Sequence, residues 1–530
     1  MINKTLEIHA RMRADRNSEE TTFQTLKDLI RPDTTDFSNR RVTGRASDAR
    51  RKIYDGTAPW SLSQLASGLH SYLTSPVDRW FGIGLLNRPL DTIPEDYKLW
   101  LEQASDVLYS QFSNPSGSFN PASHELYTDL GSFGNAVVFQ HLNMATRTLM
   151  FRAFPFAECF LQEDSNGTVN RVHRECMWTV LQCKMEFGDL PPKLSKLPDH
   201  EKVCVIHAVF PRDDYNWTNR SMKSRKFASE YLCKDTDEML KESGYDYMPY
   251  HTPRWTKMAG DAYGRGPGLT VLPEIEMANQ MSKTIIRAAQ KIVDPPLQVP
   301  DDGFLAPLRL HPGGLNYIRP GNEAVVPMPT AQRVDIGEHQ LEQRRDMIRK
   351  GFYVDWLVRP TKNERQTAQE ITDDRNQMLS MLAPIVGRLH NEWTGPLIRL
   401  SYNLLIRAGG FFPPMPAGME EEKLDIFYTS PAAQAQHASR GGGIMAYIGQ
   451  VTQLMPIMPE ILDTINVPAL SSELQDVTDV PRRVLNTPEQ QEEKATARAE
   501  QQQAAQMAEM LPAGAKAAKD LADAQATGAG

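Results

Sequence analysis

Few residues in this chain have the types and spacing that chemistry needs. Tyr263-Gly264-Arg265-Gly266-Pro267-Gly268 is glycine-rich and opens a helical stretch, where backbone N–H groups could cradle a phosphate. No strand of dinucleotide-binding type leads into it, and the spacing is not G-x-G-x-x-G, so a tight strand-to-helix turn is the expected reading. Glu420, Glu421 and Glu422 are consecutive in a polar turn and read as a solvated face. Cys159, Cys176, Cys183, Cys204 and Cys233 are odd in number and form no C-x-x-C, which suits reduced, buried thiols. There is no G-x-x-x-x-G-K-[ST], H-E-x-x-H or G-x-S-x-G, and no metal-spaced Cys/His cluster. The expectation is therefore no catalytic residue, no metal and no cofactor.

Two groups of cations remain. Arg344, Arg345, Arg349 and Lys350 fall in one helical stretch, and Arg359, Lys362 and Arg365 in the polar loop after it. Such groups either pair with nearby carboxylates on a solvated helix, with Glu342 and Asp346 at hand, or touch phosphates weakly and without reading sequence. Charge alone leaves both open. The loop holds one acid, Glu364, against its three cations.

The whole chain sets the frame for these groups. It has 530 residues, 40% of them hydrophobic and 23% charged, with a net charge of -8. That length supports several packed units. The acidic balance argues against tight DNA wrapping, which usually needs a strongly basic domain, but not against a surface that DNA slides past. The N-terminal MINKTLEIHARMRADRNSEE has no apolar core of signal-peptide type. No apolar run approaches the ~18–20 residues that cross a bilayer. A chain made and assembled in a cytoplasm, with no membrane partner, is expected.

Helical spacing predicts a helix over 2–30, with Leu6, Phe23, Leu26 and Ile30 on one side and Pro32 as its stop. A second helix carries Leu62, Leu65, Leu69 and Leu73, with Pro59 in its first turn. A third opens at Pro94. Between Ala136 and Phe210, AVVFQHLN, TLMFRAF, AECFLQED, TVNRVHRECMW and KVCVIHAVF read as strands, and KFASEYLC comes after them as another. Asn166-Gly167 marks a hairpin turn. The fold class is α+β, mainly helical.

The middle of the chain reads as a long helical hairpin. One helix is expected from Gly268 to Val293, ~39 Å long, and another from Asp335 to Leu357, ~35 Å long. The segment Asp294–Val334 between them holds eight prolines and four glycines, which no helix survives. Ile275, Ile285, Leu341 and Ile348 should leave a lone hairpin partly unburied. Thr367 and Glu370 form a capping box for a further helix to about Arg407, kinked by Pro384 and Gly395-Pro396 and stopped by Gly409-Gly410. Beyond Asn486 the chain is Gln-, Ala- and Glu-rich, with little apolar surface to bury.

Four local patterns, in this order, resemble one family. They are IYDGTAPWSLSQLASGLHSYLTSPVDRWF (53–81), LYTDLGSFGNAVVF (126–139), MPYHTPRWTKMAGDAYGRGPG (248–268) and RQTAQEI (365–371). The chain resembles the head-to-tail connector, or portal, proteins of short-tailed bacteriophages, with the match spread over roughly 1–440. The resemblance implies a ring, typically a dodecamer, at one capsid vertex in the virion. It implies a wing at 1–267, stem helices at 268–293 and 335–357, and a clip at 294–334. A tunnel loop at 358–366, a long wing helix at 367–410, a crown at 411–485 and a C-terminal tail at 486–530 complete the division. Double-stranded DNA would pass through the channel, with Arg344, Arg345, Arg349, Lys350, Arg359, Lys362 and Arg365 as the candidate contacts. The implied partners are other copies of the chain, the terminase large subunit as motor, major capsid and scaffolding proteins, and tail adaptors. A virion adaptor or tail protein without a channel, and an enzyme with an unfamiliar site, are the alternatives.

Overall fold

The computed structural model describes residues 2–38, 51–86, 93–216, 221–298, 326–327, 334–357, 382–419, 424–428 and 443–451, with 470, 474 and 496 singly. Contacts divide the chain into two units, residues 1–89 with 101–432, and 90–100 with 433–530. In the second unit, residues 443–451 are helical. The first unit holds the sheets and the helical hairpin, and the helix Glu95–Phe112 has its opening residues in the second.

Strand-forming sequence from 159 to 245 folds as an antiparallel meander of five neighbouring strands. They are Cys159–Glu163, Val169–Thr179, Lys202–Pro211, Phe227–Cys233 and Glu238–Tyr245. The expected turn at Asn166-Gly167 is present. Asp164 Oδ1 accepts from the backbone N–H groups of Asn166 and Thr168, each at 2.9 Å, and Gly167 has φ +76°. Side chains alternate between the two faces. On one face Cys176, Val203, Val205 and Cys233 pack with Val180 and Cys183 of the helix Val180–Phe187. That helix carries a capping box in which Thr179 and Gln182 exchange hydrogen bonds. On the other face Ile206, Ala208 and Leu232 meet Ile2 and Leu6 of α1 (Ile2–Ile30). All five cysteines are buried and free, as small apolar groups. Burial pushes the Cys183 thiol up to about 11 and the Cys176 thiol up to about 12.

The second helix, α2 (Thr57–Leu73), buries Leu62, Leu65, Leu69 and Leu73 as its spacing predicts. It lies against Phe119–Phe133, where Gly131 gives it room: a Cβ there would stand 2.7 Å from Leu62 Cδ1. Gly82–Leu85 pairs antiparallel with Leu424–Phe427, joining segments far apart in sequence. No local pattern announced this pairing.

The glycine-rich run is a turn committed to backbone packing. Asn135 Nδ2 donates to Gly264 O at 2.9 Å, and Gly264 N–H donates to Asn135 Oδ1 at 2.7 Å. Gly134 has φ +76°, and a Cβ on it would lie 2.2 Å from the nitrogen of Gly266. Only glycine fits that left-handed, crowded position. The N–H of Gly264 is thus already used, and the expected strand-to-helix turn is what stands there.

The hairpin is present with two corrections to its outline. The stretch Gly268–Val293 is not one helix. A single turn, Pro267–Thr270, precedes α3 (Leu272–Val293). Pro273 has no N–H to continue the earlier turn, so the break falls at Val271 and the proline sits in the first turn of the longer helix. The second helix, α4 (Val334–Gly351), ends before Leu357. Tyr353 turns left-handed at φ +59°, and Val354–Leu357 forms a separate turn. Gly351 is needed where the two helices meet, since a Cβ on it would lie 2.1 Å from Val271 Cγ1. Between the helices only residues 294–298 and 326–327 are described, and Leu297–Gln298 and Val326–Pro327 form an antiparallel pair that brings the hairpin's far ends together.

The capping box at Thr367 lies outside the described residues, as do Glu420, Glu421, Glu422, the tunnel loop and nearly all of the tail. Residues 382–389 are helical, His390–Thr394 is a π turn, and Gly395–Ala408 continues as helix to Gly409 (φ +69°) and Gly410 (φ +72°). The irregularity expected at Gly395-Pro396 thus takes the form of a π turn just before it. The missing N–H of Pro396 leaves the carbonyls ahead of it without the ordinary partner.

Candidate nucleic-acid interface on the helical hairpin

Arg344, Arg345, Arg349 and Lys350 all lie on α4, and the three arginines are committed to carboxylates of the same subunit. Arg344 Nη1 donates to Glu274 Oε2 of α3 at 2.8 Å. Arg345 Nε donates to Asp55 Oδ2 at 2.9 Å and its Nη1 to Glu342 Oε2 at 3.3 Å. Arg349 Nη1 reaches Glu342 Oε1 at 3.0 Å and Asp346 Oδ1 at 2.6 Å. Arg349 beside Glu342 holds that carboxyl below its ordinary range, against a smaller upward push from burial. Lys350 is exposed. Arg359, Lys362 and Arg365 lie outside the described residues.

Asp55 is the residue that sequence reasoning missed. Its side chain is 4% exposed, and it ties three elements together. Oδ1 accepts from the N–H of Thr57 at the start of α2 at 2.9 Å. Oδ2 accepts from Ser282 Oγ on α3 at 3.2 Å and from Arg345 on α4. Burial pushes this carboxyl upward, but the Thr57 hydrogen bonds and the Arg345 guanidinium outweigh it and hold it below the usual range. Asn279 adds a second clasp. Its Oδ1 accepts from Tyr54 N–H at 2.6 Å, and its Nδ2 donates to the carbonyl of Lys52 at 3.1 Å. The only signal in the sequence was an aspartate two residues before a threonine, an Asx-turn pattern that does not reveal a distant arginine.

A second buried constellation supports the body. Arg254, 2% exposed, donates from Nη2 to Glu392 Oε1 at 2.6 Å and from Nε to Glu392 Oε2 at 3.2 Å. It also pairs with Glu163 and donates to the carbonyl of Gly167 at 3.0 Å. Glu392 belongs to the π turn, so this bidentate pair pins that turn to the first hairpin of the five-stranded sheet. The polar atoms of this arrangement hold elements together. Among the described residues no group of three His, Cys, Asp or Glu side chains could hold a metal ion, and no helix is long and apolar enough to cross a membrane.

The apolar residues of the hairpin are partitioned differently from expectation. Ile275, Leu341 and Ile348 are buried within the subunit and Ile285 is half-buried. The exposed set is instead Met277 (46%), Ile292 (45%), Ile286 and Met347, with Val293 at the helix end. On α3, Met277, Met281, Ala288 and Ile292 recur at i, i+4, i+11 and i+15 and share one side of the helix. On that side Met277 and Ile292 are exposed, and Met281 and Ala288 between them are half-buried.

Known proteins resemble the chain over nearly its whole length. Residues 3–485 match the family model described as bacteriophage head to tail connecting protein. The chain is 29% identical over 532 residues to "Probable portal protein" of Bordetella phage BPP-1, covering 96% of this chain and 93% of that protein. It is 26% identical over 536 residues to "Portal protein" of Salmonella phage epsilon15, covering 97% and 94%. A chain from the virion of a native gene transfer agent particle superposes with a TM-score of 0.38 at 10% identity, covering 79% of this chain and 94% of that one, and carries no argument at that score. The family match runs through both halves of the hairpin and the body that clasps it, and on that ground the chain belongs to the bacteriophage head to tail connecting protein family.

Proposed function

We propose that this chain is a portal subunit: copies of it form a ring at one capsid vertex, and double-stranded DNA enters and leaves through the hole. The observation that carries the reading is the hairpin's exposed apolar side, Met277 to Ile292. A contiguous apolar face on a helix marks a protein contact. Two different faces of identical subunits, meeting head to tail, make a ring with a central hole when the rotation between copies closes, and an open filament when it does not. The family membership supports this assignment. The portal is a structural virion component in this reading, with the chemistry of translocation supplied by a separate motor.

The parts divide accordingly. Residues 1–267 form the wing, 268–293 and 335–357 the stem, 294–334 the clip, and 358–366 the tunnel loop. Residues 367–410 complete the wing, 411–485 form the crown and 486–530 the tail. The terminase large subunit and later a tail adaptor dock at the clip, and capsid and scaffolding proteins surround the wing. Twelve copies are the expected number. Arg359, Lys362 and Arg365 give the tunnel loop a positive collar that holds phosphates weakly. The test is a deletion of residues 300–330. Heads assembled on that variant should contain the protein and stay empty of DNA, and heads that fill normally would contradict the assignment.

A further inference from the structure

The cations first singled out on the hairpin are largely occupied, but a different row of cations is not. On α3, Lys283, Arg287 and Lys291 succeed one another at i, i+4 and i+8. They stand along one side of the helix, about 6 Å apart in rise. Lys283 is half-buried, with its ammonium 5.3 Å from the centre of the Tyr54 ring, and Arg287 and Lys291 are exposed. Among the described residues none of the three has a carboxylate within ion-pairing distance, whereas Arg344, Arg345 and Arg349 each have one or two. Glu276 and Asp294 flank the row at its two ends on the same side of the helix. Lys52 is exposed, and Asn279 holds its backbone carbonyl one turn before Lys283.

The placement of the row separates it from the subunit contact. Its mean direction lies about 110° around α3 from that of Met277, Met281, Ala288 and Ile292. A neighbouring copy that covers the apolar side therefore need not cover the basic one. We propose that Lys283, Arg287 and Lys291, with Lys52 beside them, are a phosphate-contacting row that touches the backbone of double-stranded DNA without reading its sequence. The proposal rests on the portal reading and sharpens it, moving the stem's DNA contact from α4 to α3. Charge complementarity carries it. An acidic chain keeps an unneutralised line of cations on a helix whose arginine-rich partner is neutralised internally. A polyanion is the occupant that such a line fits. Arg287 and Lys291 are exposed and Lys283 half-buried, so each contact is weak and salt-sensitive, as sliding requires.

The test uses the full-length assembled protein and a short DNA duplex of arbitrary sequence, with affinity measured against salt concentration. Neutralising each phosphate contact should reduce the slope of log K against log salt by about 0.9. The K283Q/R287Q/K291Q variant should assemble and melt as the parent does and show a slope shallower by about 2.7 or more. K283R/R287K/K291R, which keeps the charges, should retain the parental slope. A parental slope in the glutamine variant would overturn the proposal. Loss of assembly in it would also do so, because the row would then pair with acids of a neighbouring copy. Parent rings that fail to bind the duplex at low salt would overturn this proposal while leaving the portal reading standing. A parent that forms no ring would remove the portal reading itself.

Discussion

At the scale of single residues, the structure separates cations that hold the subunit together from cations that are free to meet a partner. Arg345 and Arg349 have the same charge and lie one turn apart, yet Arg345 reaches a carboxylate that is 4% exposed while Arg349 spans exposed acids of its own helix. Exposed pairs contribute little, whereas leaving a buried carboxylate without its donor costs its desolvation. Arg345→Ala should therefore destabilise the protein by about 1–3 kcal/mol, and Arg349→Ala by less than about 0.5 kcal/mol. Urea unfolding of D55A, R345A and the double variant, with R349A alongside, checks this. The D55A and R345A changes should couple by more than about 0.5 kcal/mol, and simple additivity would show that the clasp is not a unit. Pairing with Glu342 and Asp346 was one of the two readings the sequence left open, and Arg345 and Arg349 take it, but the bonds of Arg344 to Glu274 and of Arg345 to Asp55 were not visible there. Ion-pair partners 70 to 290 residues apart have no local signature.

At the scale of elements, the periodic signals carried well. Leu62, Leu65, Leu69 and Leu73 are buried as a stripe, and the strand run from Cys159 to Cys233 pairs in sequence order. Helix ends were less legible. Pro273 moves the start of α3 to Leu272, and the left-handed Tyr353, which no sequence rule favours, separates α4 from the turn after it. The pairing of Gly82–Leu85 with Leu424–Phe427 was not legible, because strand partners so far apart are chosen by tertiary packing. The exposed side of α3 belongs to this scale as well. Met277→Glu combined with Ile292→Glu should leave folding intact, since neither side chain is buried in the subunit, and should abolish assembly by placing charge in the contact. Circular dichroism and sedimentation velocity on the same sample check it. Rings that persist with the double change would move the subunit contact elsewhere.

At the scale of the whole molecule, an acidic chain of 530 residues would present a row of cations, Lys283, Arg287 and Lys291, where DNA passes. Its exposed apolar side would lie where another copy sits. A portal needs both properties, firm self-association and a lining that grips nothing for long. The family membership and the two portal-named phage relatives, aligned over nearly their whole length, support the same conclusion. The central claim is that copies of this chain close around a hole. Electron-microscopic imaging of the purified full-length protein, read as rotational class averages, tests it most directly. The account predicts closed rings with an open centre wide enough for a DNA duplex. Monomers across micromolar concentrations, or assemblies with no central hole, would contradict it.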